Sequence, residues 1–128
     1  MATLSIRIDF PHGGRLGPGK VRLLELIDEH GSISAAGRAM GMSYRRAWLL
    51  VDDLNRCFAE PLVLGQTGGS GGGGARLTDA GREVVARYRS VERVAAAAAA
   101  VDLGILEEGV AEQAGEAGCP GMPSRPCG

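Results

Sequence analysis

The chain of 128 residues is long enough for one domain and short for two. Its 14 basic and 15 acidic residues give a formal net charge of −1, which by itself indicates neither a nucleic acid nor a membrane as a partner. The charges are unevenly distributed: residues 1–93 carry 13 Lys or Arg against 10 Asp or Glu, and residues 94–128 carry Arg125 against five acidic residues. The total therefore hides a mildly basic body and an acidic tail.

The apolar runs, cysteines and histidines of the sequence argue against several classes of protein. No apolar run approaches the roughly 20 residues of a membrane span, and residues 1–10 lack the apolar core of a signal peptide. Cys57, Cys119 and Cys127 cannot all pair within one chain, which favours free thiols in a reducing cytoplasm. The cysteines and histidines lack metal-ligand spacing, and no catalytic triad can be assembled, so we expect no metal, no cofactor and no enzyme activity.

The first predicted elements are a strand and a helix. Apolar and polar residues alternate over residues 4–10, which is the pattern of a half-buried strand. Residues 11–19 are predicted to form a loop. The sequence Gly17-Pro18-Gly19-Lys20 could suggest a phosphate site, but a loop that enters a helix explains it more simply. That helix is expected over residues 18–30 with a wide apolar face, and Gly31 ends it.

Two helices joined by a tight turn follow. Ser34 is the expected N-cap of a short helix of small residues, 35–40, and Gly41 closes this helix in the left-handed conformation. Ser43 is expected to cap a longer helix over residues 44–58. A short helix, a glycine turn and a longer helix predict a helix-turn-helix.

A predicted hairpin comes next, with strands at 62–64 and 75–77 around a glycine-rich loop, and Thr78 caps the following helix. Directly after a helix-turn-helix, this hairpin indicates the wing of a winged helix. The loop glycines match nucleotide-binding patterns only in spacing, because the helix start and the Lys-Ser or Lys-Thr of those motifs are missing. The predicted fold is mainly α with a small β component, a winged helix-turn-helix with an N-terminal strand and a long C-terminal helix.

The last helix is expected from residue 79 to about 102, and its apolar residues recur near the 3.5-residue period of a helix that packs on another helix. Because such a helix reaches beyond a three-helix core, we expect it to form a homodimer. The dimer contacts are expected from Val84, Tyr88, Val91, Ala95 and Ala98. Residues 1–103 are thus predicted to be one DNA-binding and dimerisation domain, followed by a disordered tail rich in Gly, Pro and Glu over 104–128.

Four motifs resemble a known family. They are Ser32-Ile33-Ser34-Ala35-Ala36, Gly41-Met42-Ser43-Tyr44-Arg45-Arg46-Ala47-Trp48, Thr67-Gly68-Gly69-Ser70-Gly71-Gly72-Gly73-Gly74-Ala75 and Leu77-Thr78. Together they resemble the DNA-binding domain of the molybdate-responsive transcriptional regulator (ModE) family over about residues 4–100. The N-terminal halves of LysR-type regulators share the first motif more distantly.

The resemblance implies a dimer that binds a palindromic operator in double-stranded DNA. Full-length members of the family continue into molybdate-binding modules, and this chain stops before any could be built. The expectation is therefore a regulator without a molybdate-binding module of its own, whose molybdate sensing, if any, would reside in a separate partner.

The residues expected to contact DNA follow from the helix-turn-helix and the wing. A recognition helix meets base edges with its N-terminal residues, where arginine can bind guanine O6 and N7 and an exposed leucine suits a thymine methyl. Glycine backbone in a wing can approach a phosphate or enter the minor groove. The candidates are Ser43, Tyr44, Arg45, Arg46 and Leu49 on the helix, and Thr67, Ser70, Gly71 and Arg76 on the wing.

Two questions stay open from the sequence. Tyr44 and Trp48 lie at the rim of the apolar face of the recognition helix, where an aromatic ring either packs with its polar tip outward or contacts DNA. The domain is a regulator or, alternatively, a winged-helix module for docking or dimerisation with another protein, because a fold does not fix a function.

Overall fold

The computed structural model describes residues 2–66 and 74–111. In chain order these form β1 (Ile8–Asp9), β2 (Arg15–Leu16), α1 (Pro18–His30), α2 (Ile33–Ala39), α3 (Tyr44–Cys57), β3 (Val63–Gln66), β4 (Gly74–Leu77), α4 (Asp79–Ala98) and α5 (Ala100–Glu108). One compact unit comprises residues 4–94, and a second contains the N-terminal residues together with residues from 95 onward. The order of elements confirms a mainly helical fold with a small β component and a winged helix-turn-helix.

The N-terminal strand is shorter than predicted and pairs with a strand that the sequence did not reveal. β1 covers only Ile8–Asp9 and pairs antiparallel with β2, which lies in the segment predicted as a loop. Gly13 adopts φ 103° in the connecting turn, a conformation that glycine reaches without strain. Upstream, the Ile6 carbonyl accepts a hydrogen bond of 2.6 Å from the Tyr88 hydroxyl. The predicted strand therefore begins only at Ile8, and the Tyr88 side chain bonds the extended segment before it.

α1 has the predicted bounds, but α2 begins earlier than expected. Gly31 ends α1 at φ 77°. The cap of α2 is Ser32 rather than the predicted Ser34, because extended backbone at Ser32 lets its Oγ accept from the Ala35 N–H over 2.9 Å. The Ser34 hydroxyl instead accepts a 2.9 Å hydrogen bond from the Arg38 guanidinium.

The turn between α2 and α3 is built from small residues. Gly41 adopts φ 72°, which confirms its predicted left-handed conformation. A Cβ added to the buried Gly37 would lie 3.0 Å from the Ala47 Cβ, so glycine permits the close approach of the two helices. Ser43 caps α3 as predicted, since its Oγ accepts from the Arg46 N–H over 3.1 Å.

The base of the wing is attached to both α1 and α3. β3 and β4 pair antiparallel from Val63↔Leu77 to Gln66↔Gly74, which confirms the predicted hairpin. The Asn55 side-chain oxygen accepts from the Leu62 and Val63 N–H groups over 2.8 and 3.1 Å, and its amide donates to the Val63 carbonyl over 3.1 Å. These hydrogen bonds hold the base of the wing beside α3.

The core of the compact unit is shared by α1, α2, α3, the wing and α4. Its buried members are Leu16, Val21, Leu23, Leu24, Leu26, Ile27, Ala36, Ala47, Val51, Leu54, Leu62, Val63, Ala75, Leu77 and Tyr88. Tyr88 is 1% exposed, and Val84 is partly buried against the same core. The prediction that Tyr88 contributes to a dimer interface is therefore wrong, because its ring is used within its own subunit.

Gly81 and Arg89 also hold α4 against the rest of the unit. A Cβ added at Gly81 would lie 2.3 Å from the Leu62 carbonyl oxygen, so α4 passes the wing at a distance that only glycine allows. On α1, Glu25 accepts two hydrogen bonds from the Arg89 guanidinium over 2.9 and 3.0 Å, while Arg89 also bonds Glu92 over 2.6 Å. The Arg89 guanidinium holds the pKa of the Glu25 carboxyl below its usual value.

The C-terminal helical region is longer than predicted. α4 ends at Ala98, and α5 follows after one residue and continues to Glu108. The expected end of the helix near residue 102 and the start of a disordered tail at residue 104 are thus corrected, since residues 104–108 are helical. Alanine, leucine and glutamate favour a helix enough to offset the cost of about 1 kcal/mol for Gly104. Residues 112–128 of the predicted tail lie outside the described residues.

Candidate nucleic-acid interface

The N-terminal half of α3 presents a polar face to solvent. Ala47, Val51 and Leu54 are buried on one side of the helix, so the opposite side is exposed. On that side, Leu49 is 44% exposed and lies in one surface concavity with Ser43, Arg45 and Arg46. The structure therefore brings four of the five helix candidates together.

Arg45 and Arg46 are exposed and make no ion pair within residues 2–66 and 74–111. Their guanidinium groups are thus available to an anionic or hydrogen-bond-accepting partner. The N–H groups of the first turn of α3 add partial positive charge at the same end of the helix, where only one of them is capped by Ser43.

The basic residues divide into a paired and an unpaired set. Arginines with a carboxylate partner are Arg7, Arg22, Arg56, Arg82, Arg87 and Arg89. In the described part of the chain, the basic residues without a carboxylate partner are Arg15, Lys20, Arg38, Arg45, Arg46, Arg76 and Arg93. All of the unpaired set except Arg93 lie on β2, the start of α1, the helix-turn-helix or the wing. The uncompensated positive charge is therefore concentrated around α3.

Tyr44 and Trp48 face the wing rather than the core. Their exposed fractions are 56% and 45%, and both line a groove between α3 and the wing that also contains Ser34, Gly65 and Gly74. Both aromatic rings are thus partly open to solvent beside the predicted DNA-binding residues. Trp48 has the same access to this groove as Tyr44.

Of the four wing residues predicted to contact DNA, only Arg76 lies within the described residues. Arg76 is exposed on β4, where its cross-strand partner is Leu64. Thr67, Ser70 and Gly71 lie outside the described residues, so their expected contacts with DNA stay predictions. The groups that attach the wing, above all Asn55, were missed in the sequence. The available signal was a polar residue at the edge of the apolar face of α3.

Within residues 2–66 and 74–111, no group of three or more His, Cys, Asp or Glu side chains is arranged to hold a metal ion. None of the helices formed by these residues has both the length and the apolar character needed to span a membrane.

Residues 19–82 match the family described as "Bacterial regulatory helix-turn-helix protein, lysR family". The chain belongs to this family. The match covers α1, the helix-turn-helix, the wing and the first residues of α4, and it includes all of the unpaired cations except Arg15 and Arg93. The lysR-type domain is thus the part of the chain that carries the candidate interface.

Individual relatives are similar over a longer stretch. The chain is 44% identical over 96 residues to "Molybdenum-pterin-binding protein MopA" of Rhodobacter capsulatus, which covers 75% of this chain and 35% of MopA. It is 42% identical over 92 residues to "Molybdenum transport protein ModE" of Azotobacter vinelandii, which covers 72% of this chain and 33% of that protein. With "Transcriptional regulator ModE" of Yersinia pestis it shares 42% identity over 71 residues, 56% of this chain and 27% of the relative.

These matches confirm the resemblance to ModE regulators that the motifs indicated. The chain spans about a third of the length of the first two relatives.

Proposed function

We propose that this chain is a sequence-specific DNA-binding transcriptional regulator of the ModE type. The single observation that carries the proposal is the pair of exposed arginines without carboxylate partners, Arg45 and Arg46, on the first turn of the second helix of a lysR-type helix-turn-helix. That position is where recognition helices meet the edges of bases in the major groove. The relatives named as transcriptional regulators support the same function.

In the proposed complex, α3 lies in the major groove. Arg45 and Arg46 donate to guanine O6 and N7, and Leu49 packs on a thymine methyl group. The hydroxyl groups of Ser43 and Tyr44 donate to phosphate oxygens that border the groove. Because the Ser43 oxygen accepts from the Arg46 N–H, its own hydrogen is free to point outward.

The wing supplies the second set of contacts. We propose that Arg76 reaches the phosphate backbone beside the groove, and that Thr67, Ser70 and Gly71, which lie outside the described residues, add contacts of the same kind. The hydrogen bonds of Asn55 at the base of the wing fix its direction relative to α3. α3 and the base of the wing therefore approach DNA together.

We further propose that the regulator is a homodimer held together by the C-terminal helices. Val91, Val94, Val101 and Ile105 are 43%, 66%, 75% and 60% exposed. Together with the predicted Ala98, these residues follow one another at spacings of 3, 4, 3 and 4, the heptad pattern of helices that pack on each other. The dimer surface therefore retains Val91, Ala95 and Ala98 of the prediction, and the exposed valines and isoleucine extend it.

A twofold axis would place two recognition helices in successive major grooves, about 34 Å apart on a palindromic operator. Genes for molybdenum uptake or use are the proposed targets, because the names of several relatives refer to molybdenum. We place the protein in the cytoplasm, where a bacterial regulator meets the chromosome.

The DNA-binding proposal is tested with a duplex selected from a random-sequence pool by the wild-type protein. Arg45→Ala and Arg46→Ala should each weaken binding to it by about 1–3 kcal/mol per half-site, as measured by fluorescence anisotropy. Arg93→Ala, which also removes an exposed arginine without a described ion pair, should bind like wild type. If both α3 variants also bind like wild type, α3 is not the recognition helix. If the wild-type protein selects no duplex, the alternative role in protein docking is favoured instead.

The dimer proposal is tested by placing a charge on the exposed valines. Val91→Glu and Val94→Glu should sediment as monomers and lose the joint binding of two half-sites, because a carboxylate cannot be buried without a partner. Ala96→Glu adds the same charge at an exposed position on the other side of α4 and should leave the dimer intact. Dimeric Val94→Glu protein with normal DNA binding would show that this surface is not the interface.

A further inference from the structure

The β1–β2 hairpin and the start of α1 carry basic side chains that the fold does not use for ion pairing. Arg15 is exposed on β2, and Lys20 lies in the first turn of α1. The Lys20 ammonium donates to the Arg15 backbone carbonyl over 3.1 Å, and both residues line the same two concave surfaces. Within the described residues neither has a carboxylate partner. We call Arg15, Lys20 and the glycines between them, Gly17 and Gly19, the hairpin flank.

The hairpin flank lies beside the recognition helix. Arg15, Gly17, Gly19 and Lys20 line one concave surface together with Arg46 and Leu50 of α3. The wing lies on the other side of α3, where Tyr44 and Trp48 line a different groove with Gly65 and Gly74. α3 is thus flanked on one side by the wing and on the other by a second basic surface.

The concave surface at the hairpin flank has a one-sided charge. Its charged lining residues are Arg7, Arg15, Lys20 and Arg46, and no Asp or Glu lines it. Arg7 is neutralised by Asp9 at 2.9 Å, which leaves three uncompensated cations. Asp53 lines the adjoining concavity together with Arg15, Lys20 and Arg56. Of these three cations, only Arg56 has an ion-pair partner within the described residues, and that partner is Asp52.

Cations without carboxylate partners beside α3 can bind a polyanion that extends from the groove occupied by α3 to this side of the helix. When α3 occupies a major groove, its two flanks face the two sugar-phosphate strands that border the groove. The wing faces one strand. The hairpin flank, on the opposite side of α3, is positioned to face the other. Gly17 and Gly19 carry no side chain that would keep a phosphate from the backbone.

We propose that the hairpin flank is a second DNA-backbone surface, in which Arg15 and Lys20 bind phosphates of the strand on the side of α3 away from the wing. This inference rests on the proposed function, since it assumes that α3 enters the groove. It assigns to the segment before the helix-turn-helix a role in affinity and orientation, while the reading of bases stays with α3. The ligand chemistry is that of a phosphate diester on duplex DNA.

The salt dependence of binding tests this role. Each phosphate contact that is lost should reduce the slope of log K against log salt concentration by about 0.9. Arg15→Ala and Lys20→Gln should therefore each flatten the slope by about that amount per subunit. They should also weaken binding to the selected duplex and to a random duplex by the same factor, because phosphate contacts carry no base information.

A matched control is available on the same helix. Arg22 lies two residues after Lys20, on another side of α1, and its guanidinium contacts Glu25 at 3.4 Å. Arg22→Gln removes the same unit of charge from the protein but none from the hairpin flank. Its salt slope should equal that of wild type, which separates local phosphate contact from a change in net charge.

The outcomes separate this inference from the proposed function. If Arg15→Ala and Lys20→Gln keep the wild-type slope while Arg45→Ala weakens specific binding, the hairpin flank does not contact DNA, although α3 does. If wild-type protein binds no duplex, both proposals fail. If inorganic phosphate or molybdate binds stoichiometrically to wild type but not to Arg15→Ala, and duplex binding is the same in both, the surface is a site for a small anion and the inference is overturned.

Discussion

Arginine serves two different purposes on two sides of this domain. Between α1 and α4, Arg89 donates to Glu25 and Glu92 and is 31% exposed. On α3, Arg45 and Arg46 are exposed and have no carboxylate partner among residues 2–66 and 74–111. We refer to the first region as the scaffold side and to the second as the recognition side. The difference shows that the neighbouring carboxylates determine whether an arginine stabilises the fold or is available to a ligand.

The same contrast holds for polar groups other than arginine. On the scaffold side, the Thr78 hydroxyl donates to the Pro61 carbonyl over 2.7 Å and accepts from the Gly81 N–H over 3.0 Å. On the recognition side, the side chains of Arg45 and Arg46 make no hydrogen bond within the described residues. Substitutions on the scaffold side should therefore change stability before they change DNA affinity, and those on the recognition side should do the opposite.

Asn55 should give the largest effect on stability. Asn55→Ala leaves the Leu62 N–H, the Val63 N–H and the Val63 carbonyl without their side-chain partner, and we expect a loss of about 2–4 kcal/mol in the free energy of unfolding. Asn55→Asp keeps both accepted hydrogen bonds and should lose less than half as much. Urea unfolding measures both values. Equal losses in the two variants would show that the accepted hydrogen bonds do not hold the wing.

Arg89 should give the next largest effect. Arg89→Ala leaves the half-buried Glu92 without its cation and the half-buried Glu25 with only the longer contact to Arg22, so we expect a loss of about 1–3 kcal/mol in stability. Arg87→Ala removes an arginine of the same helix whose pair with Glu83 is exposed, and should cost no more than about 0.5 kcal/mol. Thermal melting of the two variants tests the contrast, which a loss of similar size in both would contradict.

The pH dependence of stability should give the smallest effect. The folded-state pKa of Glu25 is lowered from its usual value of 4.5, chiefly by the hydrogen bond from Arg89. The resulting stabilisation is fully present above the usual pKa of 4.5 and is lost as the pH falls through the lowered pKa of the folded state. Compared with Glu25→Gln, wild type should be about 1 kcal/mol more stable at neutral pH. The difference in the free energy of unfolding should shrink below about pH 4. A difference that stays constant down to about pH 2 would contradict the stabilisation of the Glu25 carboxylate by Arg89.

The sequence was sufficient to predict the elements that local chemistry determines. Ser43 is the N-cap of α3, Gly41 is left-handed, and β3 and β4 form the hairpin after the helix-turn-helix. Each of these depends on a residue type whose preference is strong within a few positions. The recognition helix and its exposed arginines could therefore be located from the chain alone.

The parts that the sequence could not predict depend on contacts between distant residues. Tyr88 fits an apolar stripe on α4 as well as it fits a core, and only its bond to Ile6, 82 residues earlier, settles its place. The β2 strand has two residues and no alternating pattern of its own. The link between Arg89 and Glu25 joins two helices whose packing no local pattern reveals.

The most direct test of the central claim measures unfolding and DNA affinity on the same variants. For the double variant Arg45→Ala/Arg46→Ala, we expect a free energy of unfolding within about 0.5 kcal/mol of wild type and a selected-duplex affinity weaker by at least about 30-fold. For Arg89→Ala, we expect lower stability and an affinity close to wild type at a temperature where the protein is folded. A double variant that is destabilised like Arg89→Ala, or that binds the duplex like wild type, would contradict the division into a scaffold side and a recognition side.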